Sequence, residues 1–242
     1  MVSQFGQVGF LGFDVFGTVV DWRSGVARAA EPVLARHGIA VDPFEFAEAW
    51  RALYQPAMEA VRSGARPWVR LDVLNRENLG QVLAHHGVEA GRIPDAELAA
   101  LNGAWEQLDP WPDAVEGLVR LKRRVAIGPI SNGHIAGMLK LARFGGLPWD
   151  VILGAEIARN YKPRPEVYLK SVEAAGFDPG QVAMVAAHNA DLAVARALGL
   201  RTVFVRRPFE HGLGQSTDLQ PAQDWDIVAG DLVALADALG CP

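Results

Sequence analysis

The sequence predicts an α/β protein: a parallel sheet alternating with helices, interrupted by an inserted helical segment. Three observations carry this. Short, nearly uncharged apolar runs at Val8–Phe13, Val125–Ile130 and Val182–Ala187 have the length and composition of buried strands. Stretches of helical length separate such runs, and strand–helix alternation predicts parallel pairing through right-handed crossovers. From about Asp42 to Leu108 the strand signal stops and only helical patterns remain. That interruption reads as a helical cap inserted into a Rossmann-like core, with residues 1–22 and 109–242 as core and 23–108 as cap.

Composition narrows the function. The 242 residues suit one large domain, or a core with a smaller insertion, and half of them are hydrophobic, enough for a sizeable core. Net charge is −5 with no basic run, which argues against nucleic-acid binding. The single cysteine, Cys241, has no internal partner, so a reducing, cytoplasmic setting is the expectation. No run approaches membrane-spanning length and no secretory leader pattern opens the chain.

The elements follow in order. Ser24 is a candidate cap for a helix to Arg36 with Val26, Ala29, Ala30, Val33 and Leu34 at helical spacing, although Pro32 argues against its continuity. Asp42-Pro43 opens a helical segment towards Arg62 (Asp as cap, Pro in the first turn). Leu71–His86 and Pro94–Leu108 read as further helices. Beyond Pro110 the alternation resumes: helix Asp113–Arg123, strand to Ile130, helix Ile135–Phe144 and strand Val151–Leu153. Helix Pro165–Ala175, strand Val182–Ala187, helix Ala190–Leu198 and strand Arg201–Val205 come next. Phe209–Asp226 reads as an irregular loop before strand Ile227–Val228 and a last helix, Asp231–Leu239.

The chemistry-bearing residues fall at the ends of successive strands. Asp14 directly follows the first strand, Gly17 permits a sharp turn there, and Thr18 returns a hydroxyl to the same place. Ser131 and Asn132 follow the second, Lys162 lies in the loop after the third, and His188 to Asp191 follow the fourth. In a parallel sheet these ends share one edge, where open α/β folds bind ligands. A carboxylate beside a lysine stays ionised and can act as a nucleophile. Taken alone, Ser131-Asn132-Gly133 is as consistent with a turn or helix cap.

Four stretches in order, Asp14-Val15-Phe16-Gly17-Thr18, Ile130-Ser131-Asn132-Gly133, Tyr161-Lys162-Pro163-Arg164-Pro165 and Val185 to Asp191, resemble the four motifs of the haloacid dehalogenase-like hydrolases. The resemblance spans essentially the whole chain and implies Asp14 as nucleophile. In phosphatases of that superfamily the residue two after the nucleophile is a second Asp, the general acid for a basic alkoxide leaving group. Phe16 cannot donate a proton, whereas a halide leaves without one. The dehalogenase branch carries an aromatic residue there, usually Tyr. Trp50-Arg51 looks like the Trp-Arg pair that L-2-haloacid dehalogenases present from the cap to the halogen, and a guanidinium suits a departing halide.

The resemblance therefore implies a hydrolytic 2-haloacid dehalogenase that needs no cofactor or metal. Asp14, Thr18, Lys162, Asp191 and His188 are expected to be catalytic; Phe16, Arg51, Ser131, Asn132, Tyr168 and Asn189 are expected to meet substrate or halide. The fourth motif departs from the better-known members, which carry Ser, Asn and Trp near Ala186, His188 and Ala190. His188 is then open to halide binding, water activation or a buried structural role. Dimerisation through the cap is implied by resemblance only. The alternatives are a Mg²⁺-dependent phosphatase, with Asp14 and Asp191 as metal-binding carboxylates, and a catalytically idle ligand-binding relative.

Overall fold

The computed structural model describes residues 5–242; the first four residues of the expected core segment lie outside the described residues. Six strands form one sheet in the order β3-β2-β1-β4-β5-β6: β1 (Phe10–Phe13), β2 (Ala126–Ser131), β3 (Leu153–Gly154), β4 (Val182–Ala186), β5 (Arg201–Val205) and β6 (Ile227–Ala229). Every pairing is parallel. β1 lies between β2 and β4, with Gly12 opposite Gly128 on one side and Met184 on the other. The chain turns outward in opposite directions from this centre, so the strand order reverses where β1 ends. That is the position at which such sheets open a binding crevice.

Side chains alternate across the sheet with period two. Leu11, Phe13, Ala183, Val185, Val203 and Val205 join one apolar cluster. Phe10, Val182, Met184, Ala186 and Phe204 join the other. The first cluster packs against α6 (Ala114–Lys122), α7 (Ile135–Gly145) and α11 (Leu232–Ala238). The second packs against α9 (Pro165–Ala175) and α10 (Asn189–Ala197). A single helical turn, α8 (Ala155–Ala158), links β3 to the loop before α9.

The insertion leaves and re-enters at a narrow stem. Asp21 N donates to Asp109 O at 2.9 Å, and Trp111 N donates to Val19 O at 2.9 Å. Beyond the stem lie α1 (Trp22–Arg36), α2 (Pro43–Ala52), α3 (Tyr54–Arg62), α4 (Leu71–His85) and α5 (Asp95–Asn102), then a 3₁₀ turn at Gly103–Glu106. Among the described residues no named strand occurs between β1 and β2.

Three local readings change. The cap of α1 is Asp21, whose side chain accepts from Ser24 N, so the helix begins before Ser24. α1 continues through Pro32, and both Pro32 and Arg28, whose carbonyl loses its intrahelical N–H partner, are exposed residues. The segment opened by Asp42-Pro43 divides at Leu53 into α2 and α3, which re-aims the chain behind Arg51.

Candidate active site

The site is built at the carboxyl ends of β1, β2 and β4. Asp14 N continues the sheet by donating to Val185 O at 2.9 Å, which fixes the carboxyl group over the crevice. The chain then turns through Gly17 at φ +91°, a region that L side chains avoid. A Cβ there would also lie 2.0 Å from Glu210 Oε1. On the β2 side, Gly154 at φ +119° lets the edge strand approach Ser131, whose carbonyl oxygen would be 2.2 Å from an added Cβ.

Asp14 is 8% exposed and each of its oxygens is engaged. Oδ1 accepts from Lys162 Nζ at 3.0 Å, and Oδ2 accepts from the Thr18 hydroxyl at 2.9 Å. His188 Nδ1 lies 3.2 Å from the same Oδ2. The Thr18 hydroxyl in turn accepts from Ala187 N at 2.9 Å, which ties the first motif to the end of β4. Lys162 Nζ also bonds Asp191 Oδ2, and the Tyr168 hydroxyl donates to Asp191 Oδ1. Burial alone would raise the Asp14 carboxyl, but the Lys162 ammonium and then His188 outweigh it. Asp14 is therefore held well below the usual carboxylate range. Burial pulls Lys162 down, yet Asp14 and Asp191 lift it above an ordinary lysine.

Glu210 is the principal residue that sequence reasoning missed. It is 1% exposed, and Oε2 lies 2.9 Å from His188 Nε2 while Trp22 Nε1 donates to Oε1 at 3.1 Å. Burial would lower the His188 imidazole, but Glu210 and Asp14 outweigh this and raise it well above its ordinary value. Glu210 is itself lowered: burial raises it, and the His188 charge wins. In the resting site His188 is thus an imidazolium between two carboxylates.

Asn132 and Ser131 shape the neighbouring wall. Asn132 Oδ1 accepts from Lys162 N at 2.8 Å, and Ser131 Oγ accepts from Gly133 N at 3.2 Å, which leaves the Asn132 amide N–H groups and the Ser131 O–H proton for other acceptors. Phe16 is buried and meets Trp105 edge-on at 6.0 Å. Arg51, from the end of α2, lies over Tyr54 at 4.0 Å and over Trp22 at 5.3 Å. Its Nη1 is buried without a hydrogen-bond partner.

Asn189 departs from its expected role. Its Nδ2 donates to Asp218 Oδ1 at 2.8 Å and Gln220 O at 3.0 Å, while Oδ1 accepts from Ala222 N at 2.7 Å and Trp225 Nε1 at 2.8 Å. All four of its amide capacities are spent holding the loop before β6. Tyr168 meets Asp191 and contacts the site through that carboxylate.

A divalent cation does not fit this donor set. All four oxygens of Asp14 and Asp191 already accept from N–H or O–H groups, and the Lys162 ammonium bridges the two carboxylates. Among the described residues no group of three metal-ligating side chains converges.

A family model for haloacid dehalogenase-like hydrolases matches residues 11–199. The chain belongs to that family. Within it, the chain is 49% identical to a defluorinating L-2-haloacid dehalogenase, with a TM-score of 0.95 over 97% of this chain and 96% of that one. A second L-2-haloacid dehalogenase structure gives 42% identity and a TM-score of 0.91 over 96% and 98% of the two chains. The (S)-2-haloacid dehalogenase 4A of Burkholderia cepacia is 27% identical over 225 residues, covering 86% of this chain and 92% of the relative. Among the described residues no helix of this family member is long and apolar enough to cross a membrane.

Proposed function

We propose that the protein is a hydrolytic 2-haloacid dehalogenase that converts a short 2-haloalkanoate to a 2-hydroxyalkanoate. One observation carries the reading: Asp14 is held ionised between Lys162 and His188, while Phe16, two positions on, has no proton for a leaving group. Such a nucleophile suits a weakly basic leaving group. The names carried by the relatives at 49% and 42% identity favour the L enantiomer as substrate.

An Asp14 oxygen attacks C2 from the side opposite the halogen, forming the C–O bond as the C–halogen bond breaks. The halide leaves with the bonding electron pair and the carbon inverts. Arg51 and the Asn132 amide receive the halide; Ser131 and nearby backbone N–H groups hold the substrate carboxylate. Esterification removes the negative charge of Asp14, one of the two charges that keep His188 protonated, so His188 gives a proton to solvent and becomes a base. It then takes a proton from water as that water adds to the ester carbonyl. Collapse of the adduct transfers its hydroxyl proton to the departing alcohol oxygen and restores the Asp14 carboxylate. Glu210 orients the imidazole and balances its charge, as a carboxylate does for a catalytic histidine. Lys162, held protonated by Asp14 and Asp191, keeps the nucleophile ionised, and Thr18 orients it.

The experiment is halide release from fluoro-, chloro- and bromoacetate and from both 2-chloropropionates, with wild type and Asp14→Asn. Asp14→Asn is expected to fall below about a thousandth of wild type, in line with losing a catalytic nucleophile. Turnover of p-nitrophenyl phosphate that EDTA abolishes would instead favour the phosphatase reading. The reading extends to a cytoplasmic protein, supported by the lone Cys241, with a cap over residues 23–108 and pairing into a homodimer, which light scattering would test.

A further inference from the structure

Above Phe16 the protein buries two N–H donors that it does not satisfy. Arg51 Nη1 and Trp105 Nε1 both lack a hydrogen-bond partner, and the Arg51 guanidinium carbon lies 5.9 Å from the Trp105 ring centroid. Both side chains touch Phe16, Arg51 at 5.9 Å and Trp105 at 6.0 Å. Trp105 is 5% exposed, stacked on Trp22 at 6.3 Å and edge-on to Trp50 at 5.5 Å. Trp105 differs in this from the other buried tryptophans, Trp22, Trp50 and Trp225. Trp22, Trp50, Trp111 and Trp225 each donate to a carboxylate, a carbonyl or an amide oxygen. Buried polar groups left without partners mark places where something else binds, or where stability is given up.

The surroundings define what that is. The walls are aromatic carbon and the unsatisfied groups are donors only, one of them on a permanent cation. The acids that reach this neighbourhood are committed: Glu210 to His188 and Trp22, Glu106 to Lys140 and Asp72 to Arg70, the last two also lining the cavity beside Trp105. A carboxylate would want donors spread over two oxygens, whereas two donors among ring faces suit a small spherical anion. Trp105 and Phe16 also line a cavity of about 180 Å³ between the inserted helices and the start of α7, which leaves space beside the rings.

We infer that Trp105 is a halide-recognising residue, its indole N–H adding to the donors, Arg51 Nη1 among them, that receive the departing halide. The inference rests on the dehalogenase reading and adds the group that discriminates between halogens. A charge-dense anion gains most from a neutral N–H donor, so the indole favours fluoride over chloride and chloride over bromide.

The test compares wild type with Trp105→Phe, which keeps an aromatic ring and removes the N–H. Among fluoro-, chloro- and bromoacetate, kcat/KM for the most charge-dense halide that wild type releases is expected to fall about tenfold or more, the scale of one hydrogen bond to a charge. For bromoacetate the loss is expected to stay within about threefold. Equal losses on all substrates would indicate packing alone and overturn the inference, as would no loss. A second readout needs neither turnover nor the variant: wild type carries seven tryptophans, and sodium bromide titrated into it should shift one solvent-protected indole N–H resonance. If no indole moves, the inference fails. A wild type that binds bromide at an indole but releases no halide would instead defeat the dehalogenase reading while leaving the anion site standing.

Discussion

Glu210 lies 22 residues beyond His188 in the chain, yet its Oε2 sits 2.9 Å from His188 Nε2 while His188 Nδ1 faces Asp14 Oδ2 at 3.2 Å. The imidazole therefore links a nucleophile to a buried counter-charge. This separates the two half-reactions. Attack by Asp14 needs His188 only as a neighbouring charge, whereas hydrolysis of the ester needs it as a base. Glu210→Gln should leave kcat/KM, which reports the attack, within about threefold, and lower kcat about ten- to a hundredfold. Without the Glu210 charge, the raised His188 value drops, so the acid limb of kcat should move to lower pH. Mass spectrometry of the variant during turnover should find the Asp14 ester accumulated. A loss confined to kcat/KM would place Glu210 outside the hydrolytic step.

The same cluster sets a pH dependence of stability whose sign is fixed. His188 is raised well above its ordinary value in the folded protein, with Glu210 and Asp14 outweighing the burial that lowers it. Its contribution is fully present below the unfolded-state value of about 6.5 and is lost as pH rises through the folded-state value, alkaline of that. Thermal unfolding from about pH 6 to pH 10 should show melting temperature falling across the alkaline part of that range. His188→Asn should be less stable at neutral pH and flatter across the same window. An equally steep alkaline decline in the variant would assign the effect to other groups.

Much of this site was legible because parallel strands end on one edge. Asp14, Ser131, Lys162 and Asp191 each follow a recognisable strand or its loop, so topology alone implies that they converge. The insertion was legible for a related reason: alternation that stops and resumes implies a detour, and the stem at Asp21 and Asp109 is where it occurs. Glu210 was not legible. It lies in an irregular loop with no periodicity, and only the three-dimensional course of residues 206–226 brings it under His188. Trp105 hid differently, since an aromatic at a helix end reads as core until its N–H is found unbonded. Asn189, a polar residue beside Asp191, reads as a ligand group in the sequence, whereas its four partners in the structure lie 29 or more residues downstream.

Arg207 anchors the turn that carries the nucleophile. It is 6% exposed, its Nε donates to Thr18 O at 2.8 Å, and its two terminal nitrogens grip both oxygens of Asp113 at 2.8 and 2.7 Å. Asp113 also accepts from Leu232 N, so one carboxylate ties α6 to α11 while its partner holds the loop after β1. Removing one member of such a pair strands the other's charge. Arg207→Ala should cost about 3–5 kcal/mol in denaturant unfolding. Arg207→Lys, which keeps the charge but not the two-pronged grip, should recover only part of that loss. Full recovery by lysine would reduce the role to charge alone.

Asn189 distinguishes support from substrate contact. If its amide met the substrate, Asn189→Ala would raise KM and leave stability nearly unchanged. The geometry gives the opposite expectation. Four hydrogen bonds join it to Asp218, Gln220, Ala222 and Trp225, and Asp218 also accepts from Asn189 N. These bonds fasten the loop that follows Glu210 and leads into β6, so their loss loosens a segment continuous with the His188 counter-charge. At about 1 kcal/mol per bond, with water replacing the more exposed ones, Asn189→Ala should destabilise by about 2–3 kcal/mol. The melting temperature should fall by about 4–12 °C for a chain of this size. KM for a haloacid the wild type accepts should stay within about twofold, while kcat declines modestly as His188 loses its fixed partner. Limited proteolysis should cut the variant first within residues 212–224. A large rise in KM with an unchanged melting temperature would return Asn189 to the substrate pocket and require the loop to be held some other way.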